Sequence, residues 1–325
     1  MIDRRTLALF AATSLLFGGT FVAAKAGLAY FPPLLFVALR FDVAAVALAV
    51  FILATVPRSE LLPKTRGDLL GIVATGVFAI GLANALLFVG QQYATSAVGA
   101  IVFSLNPILT PVFAAALLAD ERLSRRGALG MALGLLGVVL VVDPSPATIL
   151  AGGVGKLVIF AGAASGALGT VLVRRADATL SSRVRVAWGL PLAAALTHGL
   201  SAATGESAAA ITWAPEALAA LGYVGVFAGA VAYIAYFDLI DTAGAIKANL
   251  VFYVVPAVAT LGGWALLSET ISALTVGGFL VIFAGFAVLG SESIAAWWAT
   301  VDVSLPGVHS ESEDHGTTEY TSHSD

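Results

Sequence analysis

Three charged residues stand inside one almost wholly apolar stretch, GGTFVAAKAGLAYFPPLLFVALRFD at 18–42: Lys25, Arg40 and Asp42. The YFPP turn splits the stretch into two antiparallel helices. Counted from Pro32, Lys25 is seven residues back and Arg40 eight forward. At 1.5 Å per residue both lie about 10–12 Å from the turn, at one level, with Asp42 a little deeper. A charge facing lipid at such depth costs at least about 2.5–3.5 kcal/mol on insertion scales. All three are therefore expected to face the bundle interior. Residues two apart on a helix point to nearly opposite faces, so Asp42 is expected to neutralise Lys25 across the hairpin rather than Arg40. A net positive spot remains. Two roles are open to Lys25 and Arg40: snorkelling to the interface to cap carbonyls, or attracting an anionic group such as a carboxylate. Asp42 is the only acidic residue deep in a span. It is either a structural ion-pair partner or an ion-coupling site for protons.

Other polar side chains recur deep in apolar segments. Asn106 precedes Pro107 and shares a face with Thr110, and Pro111 follows one turn on. Prolines remove backbone bonds and open carbonyls to a cavity. Asn249, Tyr253 and Pro256 repeat the device, while Asn84, Tyr233 and Tyr236 sit deep in two further segments. The candidate solute-binding set is thus Lys25, Arg40, Asn84, Asn106, Tyr233, Asn249 and Tyr253. Buried amides also serve simply to hold helices together. Trp188 and Trp264 are open to stacking on a planar or cationic solute or to anchoring at an interface. Lys247 has Asp238 and Asp241 within pairing reach, and Glu121 and Glu269 are expected to fix helix-to-helix turns.

The elements that must position these groups are membrane spans. Of 325 residues, 59% are hydrophobic and 11% charged, against about 25% charged in soluble domains. Mean hydropathy is +0.96. Such a chain is wrapped by lipid, not around one soluble core. Apolar segments of spanning length fall at 6–30, 33–56, 68–90, 96–119, 126–143, 154–174, 184–203, 215–237, 244–267 and 272–290. The fold class expected is all-α and polytopic, with ten transmembrane helices. The N-terminal MIDRRTLALF has basic residues before an apolar run, but that run continues to Tyr30, so it is expected to be a retained helix. Pairs of glycines four apart, Gly67/Gly71, Gly130/Gly134, Gly162/Gly166 and Gly225/Gly229, let backbones approach closely.

With the N-terminus inside, 12 of the 16 basic residues lie on the cytoplasmic side and only Lys156 on the outer connections. Both termini are expected to be cytoplasmic in a cell-membrane protein. The segment 291–325 carries seven acidic residues, three histidines and no Lys or Arg. It is expected to be a solvated, mostly disordered tail.

The halves resemble each other. GGTFVAAK at 18–25 aligns with LGTVLVRR at 168–175, and the proline-to-glutamate spacing of Pro107–Glu121 returns at Pro256–Glu269. Five helices per half is odd, so the second copy enters the membrane inverted, as in secondary transporters. The expected divisions are 1–143, 144–290 and 291–325. FGGTFVAAKAGL, the PP turn, ALRF, YATSAVGAIVFSLNPILTPVFAAALLADERLS and PAVATLGGWALLSET together resemble the drug/metabolite transporter superfamily, in particular its ten-helix EamA-type members. That resemblance implies alternating-access transport of a small metabolite or drug, most often efflux. The solute is undefined, with amino acids and related metabolites in its range. The chain departs from the pattern in its second half, where WGLPL stands opposite LRFDV and the basic residue of helix 2 has no counterpart.

An intramembrane enzyme is the rival class, and a membrane scaffold or sensor the third. There are no cysteines, His198 is the only histidine outside the tail, and no phosphate-binding glycine loop is present. Neither a cofactor nor a catalytic group is expected. The expected partners are a small-molecule solute and the bilayer, without nucleic acid, in a monomer or homodimer.

Overall fold

The computed structural model describes residues 4–118, 125–142, 153–243, 248 and 250–302. These form ten helical stretches: α1 Arg4–Gly27, α2 Pro33–Thr55, α3 Arg66–Gln91, α4 Ser96–Leu117, α5 Arg125–Val142, α6 Val154–Arg175, α7 Ser182–Ala203, α8 Pro215–Ile240, α9 Val251–Leu267 and α10 Ala273–Asp302. Seven are long and apolar enough to cross a membrane (α1 to α4 and α6 to α8). Three shorter apolar helices, Ala128–Val141, Val251–Leu267 and Ala273–Gly285, fall where the remaining three segments are expected. The chain forms one unit to Leu289 and a second from Gly290 to Asp325. We call the end bearing the α1–α2 turn outer, after the orientation expected from the basic residues.

Local chemistry sets the helix starts. Pro33 opens α2 and Pro215 opens α8, where a missing N–H costs nothing. Thr65 and Asp68 cap α3 reciprocally, Thr95 caps α4 through Val98 N at 3.2 Å, and Ser181 caps α7 through Val184 N. Pro107 interrupts α4: the helical run stops at Phe103 and resumes at Asn106.

Two matching irregularities mark the pseudo-symmetry. Residues Ala74–Leu82 of α3 and Tyr223–Val231 of α8 are wound as π-helix. Each contains the tetrapeptide GVFA, at 76–79 and 225–228. A π turn frees a carbonyl, and Phe78 O accepts from Ser165 Oγ of α6 at 3.0 Å.

Glycines sit where helices touch. A Cβ on Gly225 or Gly229 would press on Val43 or Ala44 of α2, and one on Gly169 would fall on the backbone N of Ala79 in α3. The Gly169 contact is backbone against backbone, so no side chain can give way. Gly169→Leu is therefore expected to force α6 from α3 and destabilise by about 1–3 kcal/mol or more. Thermal melting in detergent measures this. An unchanged melting temperature would show that the α3–α6 seam is loose.

Candidate functional site

Arg40 projects from α2 into the bundle and is 4% exposed. Among the described residues, no acceptor reaches its buried Nε and Nη1. Its guanidinium lies 5.0 Å from the Phe41 ring centre and 5.3 Å from that of Phe88 on α3. Ring faces compensate a desolvated cation by about 2 kcal/mol or more, but they accept no N–H in the way a carboxylate does. Tyr233 of α8 is near enough to interact electrostatically with Arg40. Tyr233 belongs to an aromatic group spanning both halves: Phe17 of α1 has ring centres 5.5 Å from Tyr233, 5.9 Å from Tyr236 and 6.1 Å from Phe252. Tyr236 and Phe252 meet at 5.6 Å. A desolvated guanidinium offers a planar fork of donors that matches a carboxylate two bonds at a time.

The outer end is tied by a second polar group. Lys25 Nζ donates to the carbonyls of Gln91 at 2.9 Å and Gln92 at 3.2 Å, the last of α3. The Glu269 carboxylate, beyond α9, accepts from Ser96 N at 2.9 and 3.0 Å and from Ser96 Oγ at 3.3 Å. It thereby caps α4 of the other half. Gln91 Nε2 donates to Phe21 O at 2.6 Å, as does Ser96 Oγ at 3.3 Å. Ser268, in left-handed backbone at φ 54°, turns the chain so that Glu269 reaches back.

Of the sequence candidates, Arg40 and Tyr233 are near enough to interact electrostatically. Asp42 differs from the sequence expectation. It does not meet Lys25 and does not face the interior. Its Oδ2 lies 2.8 Å from His198 Nε2 on α7, with side chains 48% and 43% exposed. The reason is helical geometry: turning Arg40 inward turns Asp42, two residues on, outward. Asn84 spends its Nδ2 on Ile80 O of its own helix at 2.8 Å. Asn106 packs beside Gly166 of α6 and accepts through its carbonyl from Thr110 Oγ1 at 2.8 Å. Tyr253 faces Phe283 of α10, ring centres 5.8 Å apart. Asn249, Glu121 and Lys247 lie outside the described residues. Trp188 donates Nε1 to Leu61 O at 2.8 Å, and Trp264 is exposed. Phe17, Phe88 and Phe252 escaped the sequence reading, because nothing in type or spacing separates them from lipid-facing phenylalanines.

Two inverted five-helix sets with polar groups buried in the bundle define a multi-pass membrane protein of the secondary-transporter architecture. The model of the EamA-like transporter family matches residues 4–143 and again 153–291. The chain belongs to that family, within the drug/metabolite transporter superfamily, and is a membrane transporter. It is similar to an uncharacterized transporter of Archaeoglobus fulgidus, 26% identical over 85% of this chain and 95% of the relative. It is also similar to the transporter YyaM of Bacillus subtilis, 28% identical over 83% and 88%. The inner membrane transporter YedA of Escherichia coli K12 is 28% identical over 83% and 86%. A crystal structure with 23% identity shares the fold at a TM-score of 0.59, covering 87% of this chain and 96% of that one.

Proposed function

We propose that the protein is a secondary transporter that exports a small solute bearing a carboxylate or similar anionic group, by alternating access between its two halves. The observation that carries this is Arg40, a buried guanidinium whose Nε and Nη1 have no acceptor among the described residues, within electrostatic range of Tyr233. Fixed donors in a dry setting discriminate strongly for a solute that completes them. In this proposal Arg40 and Tyr233 hold the anionic group. Phe17, Tyr236 and Phe252 flank the solute body. Asn84, Asn106, Asn249 and Tyr253 line its path, and Lys25 acts at the outer end. Amino acids and related metabolites fit such a site. Export is the direction that the family resemblance implies, and the repeats divide at 143/144 with the tail from 291. The test is flux in proteoliposomes across a panel of amino acids, organic anions and organic cations, with the solute recovered chemically unchanged. Movement of cations alone would overturn the anion site, and recovery of an altered product would favour an enzyme.

The basic residues support an orientation with both termini cytoplasmic. The cysteine-free chain allows single cysteines to be introduced. A cysteine in place of Ser59 or Ser181 is expected to escape impermeant reagents in intact cells, whereas one in place of Ser207 is expected to react. The reverse pattern would invert the orientation.

A further inference from the structure

The bundle interior is unbalanced in charge. Arg40 has the rings of Phe41 and Phe88 and the Tyr233 phenol around it. Among the described residues it makes no ion pair. The described carboxylates with partners are committed elsewhere. Asp42 meets His198 and Asp238 meets Arg183. Asp68 and Glu206 hold backbone N–H groups at the two ends of the bundle, and Glu269 caps α4. Rings stand beside Arg40 instead. Phe17 is edge-on to Tyr233 and Tyr236, at 75° and 63°, and nearly parallel to Phe252, at 13°. α8 and α9 each pack on α1, and these four residues stand along that seam. All four are only half-buried.

Resting on the reading that Arg40 binds the anionic group, we propose that the solute is an aryl carboxylate without a free ammonium: an arylalkanoic acid or an N-acylated aromatic amino acid. The carboxylate supplies the acceptors that Nε and Nη1 lack. The aryl group joins the Phe17 rings edge-on or offset, a contact worth about 0.5–1.5 kcal/mol beyond the area it buries. The missing anion decides against the amine. In an α-amino acid the ammonium sits on the carbon next to the carboxylate, so binding brings it to the guanidinium. Like charges at that range cost several kcal/mol, and a desolvated ammonium needs a partner of its own. Ring faces can hold an ammonium, but Phe41 and Phe88 already face the guanidinium. Of the amino acids and related metabolites that match an anion site, the ring group and the lone cation thus select the amine-free aromatic ones.

The experiment uses the full chain in maltoside micelles and reads the concentration that gives half the maximal rise in melting temperature. Four compounds are compared: phenylalanine, N-acetylphenylalanine, N-acetylalanine and phenylalaninamide. They separate the ammonium, the ring and the carboxylate. N-Acetylphenylalanine is expected to act at a concentration about tenfold below phenylalanine and about tenfold below N-acetylalanine. Phenylalaninamide is expected to give no shift. Phe17→Leu should narrow the gap between the two acetylated acids and leave the gap to phenylalanine. Arg40→Met should remove the response to every acid. Should Phe17→Leu fail to fold, the compound series on the unaltered chain decides alone. Phenylalanine acting as well as N-acetylphenylalanine, with both lost in Arg40→Met, overturns this inference and leaves the anion site standing. N-Acetylalanine acting as well as N-acetylphenylalanine overturns the aryl assignment in the same way. A response to the acids that persists in Arg40→Met, a response to phenylalaninamide alone, or no response to any of the four overturns the anion site and this inference with it.

Discussion

Replacing Arg40 by methionine is expected to abolish transport of every anionic or zwitterionic solute the protein carries, and at the same time to raise its melting temperature. The two signs differ because the guanidinium lies against ring faces, with no acceptor for Nε or Nη1 among the described residues. An intramembrane arginine costs about 2.5–3.5 kcal/mol on insertion scales, and cation–π contact in a desolvated site returns about 2. A methionine of similar volume removes the charge and keeps the packing, so a gain of roughly 1 kcal/mol follows. The solute, in contrast, loses a desolvated charge pair worth about 2–5 kcal/mol, which is about 30-fold or more in flux at low concentration. Arg40→Lys keeps the charge without the planar fork and should fall between. Flux and melting temperature are to be measured on the same preparations. A variant that transports normally would remove Arg40 from the solute site. One that melts far lower would show that Arg40 holds the bundle together.

The sequence made the architecture legible and the pairings much less so. Spans follow from composition because lipid imposes a length and a polarity on any chain that crosses it. The inverted halves follow from the odd count and from repeated motifs. Arg40 was legible as a charge in oil, since the cost of exposure forces it inward. The same rule misplaced Asp42. Burial cost bears on both residues, but a helix cannot turn two neighbours at that spacing the same way, and the partner that makes Asp42 tolerable lies 156 residues on. Lys25 likewise finds carbonyls rather than a carboxylate, because the end of α3 brings unpaired acceptors to it. Carboxylates that cap distant helices leave no local trace. Glu269 was legible as a turn residue, but its target, Ser96, follows only from how α4 and α9 sit together. The π segments did leave a trace, the repeated GVFA, which pattern analysis by heptads and turns passes over.

The carboxylates that stitch one half to the other predict the largest loss of stability. Asp68, at the start of α3, accepts from Lys64 N at 2.9 Å and Thr65 N at 3.0 Å in its own half. From the α6–α7 turn of the other half it accepts Thr179 N at 2.7 Å, Leu180 N at 2.9 Å and Thr179 Oγ1 at 3.1 Å. At the opposite end Glu206, after α7, reaches the start of α2, accepting from Leu34 N at 3.1 Å and Leu35 N at 2.7 Å, with Ser201 Oγ at 2.9 Å. The two are inverted counterparts: each half sends a carboxylate from its second connection to the first hairpin of the other. They differ in what an amide can replace. Asparagine at 68 has one acceptor oxygen where two are used, and its NH2 would point at backbone donors. Backbone N–H groups on one side of the tie would then be left buried without acceptors. Glutamine at 206 also trades two accepting oxygens for one, but only two backbone N–H groups depend on it there, and that position is only half-buried. Asp68→Asn is therefore expected to lose most of the monodisperse protein on size-exclusion in detergent, and Glu206→Gln to lose a minor part. Transport per folded molecule should stay near normal in Glu206→Gln, because Glu206 contacts the start of α2 and Ser201 and none of the residues grouped around Arg40. Wild-type yield for Asp68→Asn would show that the α6–α7 turn is held by other contacts. A Glu206→Gln loss as large as that of Asp68→Asn would mean that charge, not the count of acceptors, makes these ties.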